Sequence, residues 1–93
     1  MNGLDVELRI EERTEKATIM QRYWQSAMPT AESPMADQFY FWSRQHELDC
    51  MLFAIDKTAR KRLALNGRMD VDHMVRYASK VANNFDCKKG ESR

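Results

Sequence analysis

Residues 70–85, DVDHMVRYASKVANNF, constrain the fold more than any other stretch because their apolar side chains recur at three- and four-residue steps. That spacing places them on one face of an α-helix. Asp70 can accept a hydrogen bond from a free N–H of the first turn, and Asp72 adds negative charge near the positive end of the helix dipole. We therefore predict an amphipathic helix over 70–85, against which the rest of the chain packs. Its apolar stripe comprises Val71, Met74, Val75, Ala78, Val81, Ala82 and Phe85.

Length and composition favour an all-α fold. The chain has 93 residues, the length of one domain, and holds only three Gly and two Pro. It lacks the long alternating β-branched runs that are typical of strands. We predict a small bundle of about four helices, with one longer N-terminal helix and three compact C-terminal helices. We expect a single domain over 1–93, with residues 1–4 and 86–93 disordered.

The first helix is predicted over about 5–28, and its second half carries most of its large apolar side chains. The segment 29–34, PTAESP, is the plainest linker. Pro29 disfavours the α conformation in the residue before it and so helps to end the helix. Ser33 followed by Pro34 is a favourable helix start, because Ser is a good N-cap and Pro suits the first helical position.

The second helix is predicted to run from Pro34 to about residue 46, followed by a tight corner at 46–49 with Asp49 as the candidate cap of the third helix. The third helix ends at about residue 65, because Asn66 and Gly67 both tolerate a left-handed backbone. Its inner stripe is predicted to consist of Leu48, Met51, Leu52, Ile55, Ala59 and Leu63.

Aromatic side chains are concentrated between residues 23 and 42, which include the run FYFW at 39–42. Two interpretations stay open for them. Aromatic residues at helical spacing are typical of a core. They could instead form an exposed platform for bases or for a partner protein. For the second interpretation we single out Tyr40, Phe41, Tyr23 and Trp24 as partner-binding candidates.

Motifs of catalysis are missing from the sequence, which has no GxSxG, no glycine-rich phosphate loop and no HExxH. His46 and Cys50 are four residues apart and could share a metal on a continuous helix. However, Asp49 is predicted to cap a helix between them, and no second ligand pair is evident. His73, beside two aspartates, is equally isolated. We expect a non-enzymatic protein with no catalytic residue, no metal and no cofactor.

The two cysteines indicate a reducing compartment. Cys50 and Cys87 fit no metal or redox spacing. The sequence also has no apolar signal segment behind a basic N-terminus and no run of 18 apolar residues. We expect a cytoplasmic protein that does not enter a membrane, with Cys50 in its core and Cys87 near a frayed end.

Charge is distributed unevenly along the chain, although the net charge is only +1. Residues 1–43 carry four Lys/Arg and seven Asp/Glu, whereas residues 44–93 carry eleven Lys/Arg and seven Asp/Glu. Such asymmetry indicates either an anionic partner for the second half or simply solvated helix faces. A band across the third and fourth helices would contain Lys57, Arg60, Lys61, Arg62, Arg68, Arg76 and Lys80. For nucleic-acid phosphates we single out Lys57, Arg60, Lys61, Arg76 and Lys80.

The string YASKVANNF at 77–85 resembles the signature near the end of the DnaD-type replication module. That module carries a Tyr, a Lys-(Ile/Val) pair three residues later, and an Asn before an aromatic residue. The matching positions here are Tyr77, Lys80, Val81, Asn84 and Phe85. The upstream AIDKTARK at 54–61 is similar to the helix that precedes the signature, so the resemblance covers about residues 48–85. The sequence departs from the pattern where Phe85 replaces the more frequent Trp and Ala78 replaces an aliphatic residue.

The resemblance implies a helical module of replication initiation that binds single-stranded or structured DNA and other replication proteins. Together with the charge asymmetry, it leads us to expect nucleic-acid or replication-complex association, as in a protein of a plasmid, phage or other mobile element. The alternative is a protein–protein adaptor or a homodimer. The seven methionines support it, because their flexible side chains suit adaptable apolar surfaces.

Overall fold

The chain folds into a flat helical bundle in the computed structural model, which describes the backbone of residues 3–91 and the side chains of residue 12 and of residues 14–85. Its helices are α1 (Gly3–Ala27), α2 (Ala36–Gln45), α3 (Leu48–Ala64) and α4 (Val71–Glu91). No strand occurs among the described residues. The prediction of an all-α fold with four helices, the first of them the longest, is confirmed.

Three helix–helix contacts hold the bundle together. Helix α3 packs along α4, and α1 packs on both α2 and α3. The bundle measures 50 × 34 × 18 Å along its principal axes. One core runs through it and is built mostly from methionine, alanine and aromatic side chains. Its buried apolar members are Met20, Trp24, Met28, Phe39, Trp42, Cys50, Met51, Ala54, Ile55, Met69, Met74, Ala78 and Ala82.

Three aromatic rings form the centre of this core. The Trp24 and Trp42 rings stack with centroids 6.2 Å apart, and Phe39 meets each of them edge-on at 5.9 and 5.7 Å. Both indole N–H groups find acceptors in spite of their burial. Trp24 Nε1 donates to the Glu32 carbonyl at 3.2 Å, and Trp42 Nε1 donates to the Ser79 hydroxyl at 3.0 Å. These bonds hold the α1–α2 linker against α1 and join α2 to α4.

Helix α2 begins later than predicted. Met35, which precedes it, is extended with φ −69° and ψ 157°, and no side chain caps the helix. Ser33 is therefore not the N-cap, and its hydroxyl instead donates to the Pro34 carbonyl at 3.2 Å. The reason is tertiary, because Pro34 is buried and the preceding Glu32 carbonyl is held by Trp24. The linker thus remains non-helical through Met35.

Helix α3 begins earlier than predicted, so Asp49 is not its cap. Glu47 is extended and occupies the N-cap position without a side-chain cap, while its carbonyl accepts the Met51 N–H at 3.1 Å. Asp49 lies inside the first turn, where its negative charge still interacts favourably with the positive end of the helix dipole. Only His46 and Glu47 separate α2 from α3, which leaves no room for the longer corner that we predicted.

The inner face of α3 also differs from the prediction. The residues that it buries are Cys50, Met51, Ala54, Ile55 and Thr58. Leu63, predicted to lie inside, is 77% exposed. The positions of α1 and α4 decide which α3 residues are buried. The face of α3 that these two helices cover includes small and polar side chains. The Thr58 hydroxyl is satisfied within the helix by the Ala54 carbonyl at 2.7 Å.

The turn between α3 and α4 follows the sequence prediction. Asn66 and Gly67 both have a positive φ, at 57° and 79°, and so end α3 in the left-handed region. The Asp70 carboxylate accepts the His73 N–H at 2.8 Å, and its carbonyl accepts the Met74 N–H at 3.0 Å. Asp70 is thus the N-cap of α4, as predicted.

Helix α4 extends past the predicted end at residue 85, to Glu91. The expected disorder at 1–4 and 86–93 stays a prediction. Residues 1, 2, 92 and 93 and the side chains at 3–11, at 13 and at 86–91, including Cys87, lie outside the described residues.

Replacing Asp70 with Ala should lower the free energy of unfolding by about 1 kcal/mol, because one first-turn N–H of α4 loses its acceptor. Asp70→Asn is the matched control, since Asn caps a helix about as well as Asp. Urea unfolding followed by circular dichroism measures both variants. Equal stability of Asp70→Ala and the wild type would contradict the capping role.

The bond between Trp42 and Ser79 should give a measurable coupling in a double-mutant cycle of Trp42→Phe and Ser79→Ala. We expect a coupling free energy of roughly 0.5–1.5 kcal/mol, the net value of a partly buried hydrogen bond. The same unfolding measurement on both single variants and the double variant supplies it. Strict additivity of the two substitutions would show that the bond does not stabilise the fold.

Candidate nucleic-acid interface

The candidate interface lies on α3 and α4, which run antiparallel. The Cys50 thiol near the start of α3 donates to the Ala82 carbonyl on the later part of α4, at 3.3 Å. The Phe53 and Phe85 rings meet with centroids 5.1 Å apart. The basic residues of the second half of α3 therefore lie beside the first half of α4.

One groove on this face combines aromatic rings with a cation. This aromatic groove has a volume of about 370 Å³ and is lined by Phe53, Lys57, Val81, Asn84 and Phe85. The Lys57 ammonium nitrogen lies 5.7 Å from the centroid of the Phe53 ring, close enough for a cation–π attraction. Phe53 is 41% exposed. The groove thus offers a partly exposed aromatic ring, a positive charge and an amide that can both donate and accept hydrogen bonds.

A second groove lies along the first three turns of α4. This basic groove is open, has a volume of about 490 Å³, and is lined by Asp70, His73, Arg76, Tyr77 and Lys80. The Arg76 Nε donates to the Asp72 carbonyl at 3.4 Å, which holds its guanidinium near the helix. The one carboxylate in the groove, that of Asp70, already accepts the His73 N–H. The basic groove therefore contains two cationic side chains, Arg76 and Lys80, with the Tyr77 phenol between them.

Arg60 and Lys61 line neither groove, although both are exposed on α3. Arg60 forms an ion pair with Asp56 at 3.2 Å, one turn earlier on the helix. Exposed pairs of this kind contribute only about 0.3–0.5 kcal/mol, so an anion could displace the aspartate at little cost. The structure thus brings Lys57, Arg76 and Lys80 into the grooves and places the other two predicted cations beside them.

Arg62 is separated from the rest of the predicted band. Near the end of α3, its Nη2 donates to the hydroxyl of Thr30, which belongs to the α1–α2 linker, at 3.4 Å. Its Nε is buried without a hydrogen-bond partner. Arg62 therefore belongs to the contact between α3 and the linker, and Arg68 is exposed in the turn that follows α3.

The fold gives the four aromatic partner-binding candidates different degrees of exposure. Trp24 is fully buried in the core, so its proposed role in contacting a partner is wrong. Tyr23 and Tyr40 are half-buried, and Phe41 is 51% exposed. Within FYFW the first and last rings are buried while Phe41 points outward, so the run does not form a continuous platform. The core interpretation is the correct one for Phe39 and Trp42.

Phe53 is the residue of this face that sequence reasoning missed. It falls outside the predicted inner stripe of α3, and Lys57 follows it at the i,i+4 spacing that places two side chains together on a helix. An aromatic residue off the apolar stripe and one turn before a lysine is the signal that could have identified it.

The grooves hold no set of metal ligands. Within the described part of the chain, no three His, Cys, Asp or Glu side chains lie close enough together to hold a metal ion. Cys50 is buried, as predicted, whereas His46 lies in extended backbone before α3 begins. The two residues are therefore not one turn apart on a continuous helix. No helix among the described residues is long and apolar enough to cross a membrane.

No protein-family model, curated protein or solved structure matches this chain.

Both tryptophans should be protected from the aqueous quenchers iodide and acrylamide, because the structure buries both indoles completely. We expect quenching constants in the native protein to be several-fold below those of the same protein in urea. Phe41→Trp provides the positive control, since it adds an indole at an exposed position. A native quenching constant close to that of the unfolded chain would contradict the burial of Trp24 and Trp42.

Proposed function

We propose that the face formed by α3 and α4 binds single-stranded nucleic acid. The observation that carries this proposal is the aromatic groove, where Lys57 lies over the Phe53 ring and beside Phe85. Single strands are bound by surfaces that stack bases on aromatic rings and place cations along the backbone. The aromatic and basic grooves supply both elements on one face.

Electrostatics support an anionic ligand for this face. Residues 48–85, which form α3 and most of α4, carry seven Lys/Arg against four Asp. Among those aspartates, Asp56 is paired with Arg60, and Asp70 caps α4. Phosphates that approach Lys57, Lys80 or Arg76 therefore meet a net excess of positive charge on this part of the chain.

Base stacking favours a single strand over a duplex. The bases of a duplex already stack on one another, whereas an unpaired base has a free face for Phe53. The aromatic groove of about 370 Å³ also offers the Asn84 amide near that ring. A duplex could contact only the cations, so its binding should be weaker and wholly electrostatic.

The resemblance to the DnaD-type module supports DNA as the nucleic acid and replication as the setting. Its signature positions are Tyr77, Lys80, Val81, Asn84 and Phe85. The first two line the basic groove, and the other three line the aromatic groove. The motif and the two grooves therefore point to the same face of α4.

Lys57→Glu/Lys80→Glu should weaken binding to a fluorescent oligothymidylate at least tenfold. It should also reduce the slope of log affinity against log salt by about 1.4, because two phosphate contacts are lost at about 0.7 each. Fluorescence anisotropy across a salt series measures both quantities. Arg22→Glu/Arg44→Glu is the matched control, since it makes the same change in net charge at exposed positions on α1 and α2.

Phe53→Leu tests stacking separately, because leucine keeps apolar packing against Phe85 while removing the ring face. The loss of one stacked base costs about 1–3 kcal/mol, so affinity should fall about tenfold with the salt slope unchanged. The proposal fails if Lys57→Glu/Lys80→Glu binds no worse than the Arg22→Glu/Arg44→Glu control.

A further inference from the structure

Among the described side chains, two large apolar ones are far more exposed than the others. Met35 is 78% exposed and Leu63 is 77% exposed. Both belong to the same end of the bundle, where the α1–α2 linker meets the end of α3. The contact of Arg62 Nη2 with the Thr30 hydroxyl at 3.4 Å joins the two segments there.

Met35 borders an apolar groove with an acidic rim, which we call the end groove. It has a volume of about 450 Å³ and lies between the linker and the first turns of α4. Pro34, Val71 and Val75 line its apolar part, and the carboxylates of the rim belong to Glu32, Asp37 and Asp72. All three acidic residues are exposed, and within the described part of the chain their carboxylates form no ion pair.

Leu63 has the opposite electrostatic surroundings. Arg68 is exposed in the turn that follows α3, and Arg60, which forms the exposed ion pair with Asp56, lies three residues before Leu63 on the same face of the helix. An exposed leucine flanked by arginines is complementary to an apolar groove rimmed by carboxylates. Arginine is also the cation that protein interfaces favour, because its planar fork matches a carboxylate.

We propose that a second copy of this chain covers this end of the bundle. Leu63 of each copy enters the end groove of the other, and Arg68 of each copy faces the acidic rim. Because groove and leucine lie at the same end of one chain, a two-fold axis can form both contacts at once. Such a dimer is closed and leaves neither surface open for further copies.

The proposal is independent of nucleic-acid binding. Lys57, Arg76 and Lys80 line grooves that share no residue with the end groove. A dimer formed through the end groove therefore keeps two copies of the α3–α4 face available.

A charge-swap experiment tests the dimer. Glu32→Lys/Asp37→Lys makes the rim basic, and Leu63→Asp/Arg68→Glu makes the leucine patch acidic. Sedimentation velocity at low salt, from 10 to 500 μM, is expected to show the wild type approaching twice its 11.0 kDa mass as concentration rises. Each variant alone should stay at 11.0 kDa, because each now opposes like charges or loses its apolar anchor.

The decisive sample is an equimolar mixture of the two variants. One contact then pairs basic rim with acidic patch, and the other pairs the two wild-type surfaces, so the mixture should dimerise again. Arg22→Glu/Arg44→Glu should dimerise like the wild type. A wild type that stays at the monomer mass throughout, variants that dimerise unchanged, or a mixture that does not associate would each overturn the proposal.

Oligothymidylate binding by Glu32→Lys/Asp37→Lys separates the two proposals. We expect this monomeric variant to bind the oligonucleotide at least as tightly per chain as the wild type does. Failure of the dimer with binding intact, or failure of binding with the dimer intact, would then be distinguishable.

Discussion

The packing of Trp24, Phe39 and Trp42 against one another is the interaction on which the rest of the structure depends. Helix α2 has only ten residues, and an isolated helix shorter than about 12–15 residues is marginal in water. It forms because two of its rings complete a buried cluster with α1. The indole of Trp42 then reaches Ser79 on α4, so the same ring that stabilises α2 also connects it to the helix that carries the candidate interface.

The contact between α3 and α4 is built from small side chains, with consequences for function. Ala54, Ala78, Ala82 and Cys50 are completely buried. Small residues let helix backbones approach closely, so the larger Phe53 and Phe85 are displaced to the edge of the contact, where their rings meet each other. The aromatic groove lies beside these two rings, and Lys57 adds positive charge to it.

The two proposed surfaces depend on different physical effects. The α3–α4 face combines cations with accessible rings, so its binding should be strongly salt-dependent with a stacking component that salt does not change. The proposed dimer contact instead places the exposed Leu63 of one copy in the apolar, acid-rimmed end groove of the other. The first surface suits a polyanion, whereas the second suits a copy of the same chain. The two surfaces share no lining residue, although both border the first turns of α4.

By itself the sequence determined the local features: the all-α class, the end of α3 at Asn66–Gly67 and the cap at Asp70. Each depends on a residue's own backbone preference or on a partner three residues away. The charge pattern along the chain was enough to select the candidate cations. It did not show how the fold distributes them over two grooves. The tertiary structure alone decided which aromatic residues are buried, why Ser33 is not a cap, and why Leu63 lies outside while Thr58 lies inside. Those outcomes depend on neighbours distant in sequence, as Ser79 is from Trp42, and helical periodicity shows that a face exists without showing what covers it.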